Sequence, residues 1–409
     1  MKTHVSFAFE RATLLFTLLM AMVFGASAQN STPDIVWSTN NYYLGRPISS
    51  VAFSGDGSLL AGSLARTTSV WRVKEKLLVS THALGDLGAW TLAAALSRDA
   101  TLLAIGGGSG NASIRQVSGG SWLWNGQFSG TVYGVKFAPD GESFCTATAT
   151  GIIVATPTGV GLPFENPLGQ NGNERGVFDV AYSPDGKLLA SGNDDNTASL
   201  FHMPQGVLFQ DLTGHSGKVT SVDFSPDGSL LATAAADGSA RLWRATNGAV
   251  VRVILGAGGS GVPFADGSVG RIKFSTDGRS LLTSSNGTLR FWRVSDGQLL
   301  LTYTNLWAGP IAVSPDGKHF AYGTDSIYGT NAAVVLARWP LLVTGAGVRT
   351  NAMHLDWQGG TGLYEVQQRT NLSIGNWEAI AGPLTNTKLE VPATNPATFF
   401  RIRSLTNSP

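Results

Sequence analysis

Cysteine is almost absent from this chain. Cys145 is the one copy in 409 residues, so no intramolecular disulfide can form and packing alone must hold the fold. Charge is scarce as well: Asp, Glu, Lys and Arg make up 13% of the residues, 28 basic against 27 acidic, and no Lys/Arg-rich run stands out. That balance excludes the long-range field that draws a protein to nucleic acid or anionic lipid, so no nucleic-acid partner is expected. Past residue 28 the histidines His82, His202, His215, His319 and His354 are scattered, H-E-x-x-H and G-x-S-x-G are missing, and helical periodicity is not sustained. Metal hydrolysis and serine catalysis therefore have no signal, and no catalytic residue, metal or cofactor is expected.

What is present begins with a leader. Lys2 and Arg11 precede an apolar run over residues 14–24, and Ala26-Ser27-Ala28 ends it with small side chains, the three-part pattern of a secretory signal over residues 1–28. The run is about half the roughly 20 residues a spanning helix needs, so cleavage is expected rather than anchoring. Removing Lys2, Arg11 and Glu10 leaves 26 basic and 26 acidic residues. The expectation is an exported protein, periplasmic or extracellular, with no membrane span after cleavage.

Abundant glycine, low charge, and valine, threonine and aromatics in short runs between turns indicate an all-β chain too long for one ordinary core. A repeat explains the length. Val222-Asp223-Phe224-Ser225-Pro226-Asp227-Gly228 and Val180-Ala181-Tyr182-Ser183-Pro184-Asp185-Gly186 are its clearest copies. Weaker copies turn at Asp56, Asp140, Asp277 and Asp316, and the poorest at Asp99. Successive turn aspartates are 43, 41, 45, 42, 50 and 39 residues apart, the period of a four-stranded propeller blade. In each copy a strand meets a tight turn, an apolar strand follows, and a second turn leads to a strand that ends in an aromatic, as in Leu242-Trp243.

At these residues the sequence resembles the WD40-repeat β-propeller family. Gly214-His215 stands where that family has its Gly-His pair, and Trp243-Arg244 replaces its Trp-Asp. The resemblance implies a structural hydrogen-bond tetrad of His215, Thr233, Asp237 and Trp243, and a role in binding rather than catalysis. Trp71 and Trp292 keep the aromatic slot, Phe201 and Arg115 substitute in it, and His215 has no evident counterpart in the other copies. Cys145 aligns with Ala190 and Ala232, which reads as a buried filler.

The last repeat offers three strands before Trp339-Pro340, and residues 34–39 form an unpartnered strand ahead of the first, so pairing the two would close the ring. After Pro340 the alternation changes to that of half-buried sandwich strands, over residues 341–409. This segment resembles a fibronectin type III-like module of the kind appended to bacterial exported proteins. Trp357, Tyr364 and Trp377 have two readings there, core aromatics or a glycan platform, and core is preferred. The resulting fold class is all-β: a seven-bladed WD40-like β-propeller over residues 29–340 and a small β-sandwich after it.

Two strings imitate chemistry. Gly256-Ala257-Gly258-Gly259-Ser260-Gly261 matches a dinucleotide fingerprint but lacks the helix that would present its N-terminus, and reads as a flexible loop. Asn193-Asp194-Asp195-Asn196 could offer oxygens to calcium but occupies a tight turn. Lys136, Asp179, Asp223, Arg271 and Lys273, just inside the first strands of their blades, are candidates to face the channel or a blade interface, surface charge being the plainer reading.

The expected function is that of an exported, non-enzymatic scaffold with protein partners, and with glycan as a second partner class. The alternative is an exported propeller enzyme or small-molecule binder with a site at the central channel. Charged residues converging in the channel would favour the alternative, and an apolar or aromatic patch on one face would favour the scaffold.

Overall fold

The computed structural model describes residues 5–7, 33–39, 47–84, 90–159, 161, 164, 175–260, 270–285, 287–304, 306, 308–324, 332–340, 342–349, 352–358, 364–369, 378–385, 388–392 and 399–404. The chain divides into two compact units, Ile35–Ala337 and the pair of segments Met1–Asp34 and Arg338–Pro409. Among the described residues everything regular is β-strand, apart from one turn of 3-10 helix at Gly108–Gly110.

Ile35–Ala337 is a seven-bladed β-propeller, each blade an antiparallel sheet, with the strands of blades 1 to 6 in chain order from the channel outward. Blade 1 consists of Ile48–Phe53, Leu59–Leu64, Thr67–Arg72 and Leu77–Ala83. Blade 2 runs from Thr91–Leu96 to Trp122–Gln127, and blade 3 shows three strands among the described residues, from Val132–Phe137 to Gly151–Ala155. Blades 4, 5 and 6 start at Val177–Tyr182, Val219–Phe224 and Arg271–Phe274.

The turn chemistry explains why the chain reverses where it does. In six blades a serine hydroxyl donates to the turn aspartate two residues on: Ser54 to Asp56, Ser97 to Asp99, Ser183 to Asp185, Ser225 to Asp227, Ser275 to Asp277 and Ser314 to Asp316, at 2.5–2.7 Å. The same serine oxygen accepts the N–H that opens the next strand, as Ser225 does from Leu230 at 2.9 Å. Asp140 lacks this partner because Ala138 stands in the serine place. At Asp227 the Ser225 hydroxyl and the Ser229 amide hold the carboxyl below the usual carboxylate range.

The residue after the aspartate is left-handed, and glycine supplies this at Gly228 (φ +70°), whereas blade 2 forces Ala100 to φ +61°. Replacing Ala100 with glycine is expected to raise stability by about 0.5–1 kcal/mol, read as a higher urea midpoint.

The core is a ring of layers between neighbouring blades. In five blades the second strand supplies a fully buried leucine at the same register, Leu60, Leu103, Leu189, Leu231 and Leu281, with Phe144 and Phe320 in that place in blades 3 and 7, and each contributes about 1.5–3 kcal/mol by its burial. Each apolar cluster joins two blades: Leu96 and Leu103 of blade 2 with Ala61 and Val70 of blade 1, and Val219 and Val222 of blade 5 with Ala190 and Leu200 of blade 4. Cys145 lies fully buried in the layer between blades 3 and 4, and burial pushes its thiol up to about 12, so it is an apolar filler without thiolate character.

Blade 7 closes the ring. Its strands Ile311–Val313, His319–Gly323 and Val334–Arg338 take a fourth from the opposite end of the propeller, Ile35–Ser38, in antiparallel register with Trp37 opposite Leu336.

One expectation is overturned. The glycine-rich string is no loop over residues 256–260: Val250–Ser260 is one continuous outer strand of blade 5, with a bulge that sets Leu255 opposite Ser239 and Ser260 opposite Asp237. An outermost strand is paired on one side only, and glycine relieves the crowding of the bulge. Gly261 lies outside the described residues.

The second unit contains two antiparallel sheets. One orders Leu342–Arg349, Ala352–Gln358 and Lys388–Pro392; the other orders Glu378–Leu384, Tyr364–Arg369, Phe399–Ser404 and Val5–Phe7. Trp357 is fully buried and meets Tyr364 edge-on at 5.5 Å, as core aromatics do, and Trp377 lies outside the described residues. Val5–Phe7 pairs with the edge of Phe399–Ser404.

Candidate functional site

The innermost strand of every blade has a sheet neighbour on one side only, so part of its backbone faces the channel without a ladder partner. Side chains of the preceding blade meet this need. Ser50 Oγ accepts from the Ala94 N–H at 3.1 Å, Asp179 Oδ2 from Val222 at 3.2 Å, Ser221 Oγ from Ile272 at 3.3 Å, and Asp223 Oδ2 from Phe274 at 2.8 Å. Each bond stitches one blade to the next at the channel wall.

Pairing register sorts the wall into levels. At one level stand Ala52, Ala95, Lys136, Ala181, Asp223, Lys273 and Ala312, each opposite the equivalent residue of its second strand. Asp179 and Arg271 lie two residues earlier on their strands. All five charged residues nominated from the sequence therefore converge on blades 3 to 6, while blades 7, 1 and 2 present alanine and serine.

The pairs are specific. Lys273 Nζ lies 2.5 Å from Asp223 Oδ1, Arg271 Nη1 lies 3.9 Å from Asp179 Oδ2, and the Ser221 hydroxyl donates to that same oxygen at 2.9 Å. Burial pushes the Asp179 carboxyl up, but Arg271, Lys136, Lys273 and the Ser221 hydroxyl outweigh it and hold the group below its usual range. Lys273 stays above the ordinary lysine range because Asp223 and Asp179 outweigh its burial. Lys136 goes the other way, lowered by burial and by Lys273.

The Asp223–Lys273 pair lines a cavity of about 440 Å³ whose walls include Phe224, Phe274 and three turn prolines, Pro184, Pro226 and Pro315. Replacing Asp179 with alanine leaves the Ser221 hydroxyl, the Val222 amide and the Arg271 charge short of an acceptor. The expected loss is about 2–4 kcal/mol in urea unfolding at pH 7, and an unchanged midpoint would rule out this stitching role.

In blade 5 the structure brings His215, Thr233, Asp237 and Trp243 together as one chain. The Trp243 indole N–H donates to Thr233 Oγ1 at 2.9 Å, Thr233 Oγ1 lies 2.8 Å from His215 Nε2, and His215 Nδ1 lies 2.9 Å from Asp237 Oδ2. Because the carboxylate can only accept, Nδ1 carries the proton and Nε2 takes the threonine hydroxyl. Burial holds His215 below the ordinary histidine range despite Asp237. Asp237 is also buried, which alone would raise it, but donors from Ser239, Ser216 and His215 bring it to about 2. None of these groups lines the channel cavity.

Residues 37–72, 166–202, 206–244 and 263–293 match the family described as WD domain, G-beta repeat. The chain carries WD40 repeats. It is similar to WD repeat-containing protein VIP3 of Arabidopsis thaliana, 30% identical over 173 residues that cover 40% of this chain and 54% of the relative. It is also similar to WD repeat-containing protein SL1-17 of Schistosoma mansoni, 30% identical over 185 residues covering 44% and 58%. The chain thus spans about half the length of these curated relatives. The WD40 match over 206–244 takes in the outer strand of blade 4, Val207–Leu212, and the three inner strands of blade 5, so one sequence repeat clasps two blades.

The other WD40 repeats solve the tetrad's problem differently. In blade 4 Arg175 takes the place of the histidine: its guanidinium lies 3.1 Å from Asp195, donates to Ser199 at 2.7 Å and pairs with Asp211 at 2.8 Å. Asp194 accepts from the Gly176 amide at 3.2 Å, so both aspartates of the Asn193–Asn196 turn serve the blade itself. Blade 6 keeps only the first link, Trp292 Nε1 to Thr283 Oγ1 at 2.9 Å.

In blade 2 Arg115 fills the aromatic slot opposite Leu103 and stacks on Trp122 at 3.6 Å. In blade 3 Ala155 stands in that slot and Trp124 of blade 2 packs against Phe144 at 5.4 Å. Sequence reasoning missed Arg175 because it looked for a histidine. The signal was there, an arginine just ahead of a first strand with an aspartate in the second turn of the same copy.

Proposed function

We propose that this chain is an exported, non-enzymatic interaction scaffold whose propeller binds protein partners. The observation that carries it is the closed seven-bladed ring, four segments of which match WD40 repeats, a rigid frame whose turn prolines gather with Phe224 and Phe274 around one cavity. Export rests on the leader over residues 1–28, and the C-terminal sheets fit a fibronectin type III-like module that spaces the propeller or contacts glycan.

Affinity capture with the mature protein, from envelope and culture fractions and read by mass spectrometry, tests the scaffold. A specific protein partner is expected, and recovery of no specific macromolecule would count against the reading. The intact mass of the exported form tests the leader and is expected to correspond to a chain starting at Gln29.

A second reading, a small-molecule binder or enzyme with a channel site, is favoured by the convergence of Lys136, Asp179, Asp223, Arg271 and Lys273. Among the described residues the exposed large apolar side chains include Leu77 and Leu78, Trp122 and Leu123, and Val250 and Val251, at the starts of the outer strands of blades 1, 2 and 5.

A further inference from the structure

Blade 2 turns three buried polar groups toward blade 1. Asn111, Ser113 and Arg115 alternate along its third strand, Asn111–Gln116, so they share one face with Leu103 and Ile105, which pack on Ala61 and Val70 of blade 1. They are 8%, 1% and 7% exposed, yet among the described residues no hydrogen-bond partner reaches Asn111 Nδ2, Ser113 Oγ or Arg115 Nε. The guanidinium donates from Nη2 to the Ala83 carbonyl and stacks on the Trp122 ring at 3.6 Å. Burial lowers it below the ordinary arginine range, and no carboxylate among the described residues pairs with it. The buried His82 of the facing strand is turned to Ser80, at 2.8 Å. A cation and two more donors held out of water without an acceptor form a costly arrangement.

Blade 4 shows what completes such a face. Its Ser199 holds the register place of Ser113, each two residues before the aromatic slot that Phe201 and Arg115 occupy. Opposite Ser199 on the outer strand stands Asp211, whose carboxylate accepts from the Ser199 hydroxyl at 2.6 Å and from Arg175 at 2.8 Å. Opposite Ser113 stands Asn125, an exposed amide that brings no charge. Blade 2 therefore has the cation and the hydroxyl of that arrangement without its carboxylate.

We infer that the seam between blades 1 and 2 binds the carboxylate of a small acid, which accepts from Ser113 and Arg115 in the place that Asp211 takes in blade 4. Ser113 and Arg115 are about 6.6 Å apart along the strand, a span that the two oxygens of one carboxylate can bridge. Asn111, two residues further on, meets the next polar atom of the acid, and Trp122, exposed at the rim opposite Arg115, covers the site from outside. The site lies outside the channel and does not depend on the scaffold reading.

The test is thermal unfolding of the whole chain in sodium acetate against sodium chloride at the same ionic strength. At about fifty times its dissociation constant acetate is expected to raise the melting temperature by about 4 °C over chloride. Arg115→Met keeps an unbranched stem beside Trp122 but removes the charge, and should erase that difference. Asn125→Asp supplies the carboxylate from within the blade. It should raise the melting temperature in chloride alone and weaken acetate binding by about tenfold or more. A difference between the salts that survives Arg115→Met, none in the unaltered chain, or a lower melting temperature for Asn125→Asp overturns the inference. Should Arg115→Met fail to fold, Asn125→Asp decides, since it alters an exposed side chain and none of the buried ones.

Discussion

Deleting residues 34–39 is expected to lower the melting temperature of the propeller by roughly 10 °C. This segment is six residues of a chain of 409, but it is the fourth strand of blade 7, where the N-terminal end of the propeller pairs with its last blade. Its backbone is tied at both ends: the Thr39 N–H donates to Val334 O at 3.0 Å, the Val334 N–H to Thr39 Oγ1 at 2.9 Å, and the Arg338 N–H to Asp34 O at 2.9 Å. Val36 and Trp37 pack on the layer that joins blades 7 and 1, and Trp37 meets Trp71 edge-on at 5.5 Å.

Losing the segment exposes Val334 and Leu336 along a new edge and removes apolar burial and aromatic contact, about 5–8 kcal/mol together. Unfolding a ring of about 300 residues releases roughly 0.6 kcal/mol per kelvin, which converts that loss to the expected shift. Replacing Trp37 with alanine alone should give about a third of it. Thermal unfolding followed by circular dichroism decides, and an unchanged melt for the deletion would mean that the ring does not depend on this closure.

Much of this architecture was legible because it rests on local chemistry. A Ser-x-Asp-Gly turn needs only a hydroxyl, a carboxylate and a left-handed residue within a few positions, so the seven turns and their period could be read directly. The closing strand could be inferred by counting, since one repeat lacked a partner and residues 34–39 had none. The five charges of the channel wall could be nominated from their position in the first strands, but not paired.

Their partners lie a whole blade away: Asp179 meets Ser221, 42 residues on, and Asp223 meets Lys273, 50 residues on. Which side of a seam a side chain crosses is set by packing rather than by neighbours in sequence. The same limit hid Trp124, which fills the space beside Ala155 from the adjacent blade, and the strand at Gly256–Ser260, where pairing with Asp237–Arg244 overrides the weak preference of glycine.

Replacing Thr233 with valine should cost about 2–5 kcal/mol, although the two side chains have the same shape and no cavity opens. Thr233 is fully buried and its hydroxyl hydrogen-bonds both the Trp243 indole and the His215 ring, so valine strands one buried donor and one buried acceptor together. Blade 6 supplies the internal comparison: Thr283→Val strands only the Trp292 N–H and should cost about half as much.

Protonation acts on the same joint. His215 is held below its unfolded value of about 6.5, so between the two values the unfolded chain binds more protons than the folded one and stability rises with pH. Stability is therefore lost as pH falls from 6.5 toward 5. Asp237, brought to about 2, contributes only further down, as pH falls below its unfolded value near 3.8. His82 is also lowered, by burial and then by Arg115, so the two buried histidines share the upper window. Urea midpoints at pH 7 and pH 5 should differ for the unaltered chain and differ by less in His215→Gln. Equal costs for Thr233→Val and Thr283→Val would show that His215 draws nothing from the threonine, and that blade 5 is held by its apolar layers as blade 6 is.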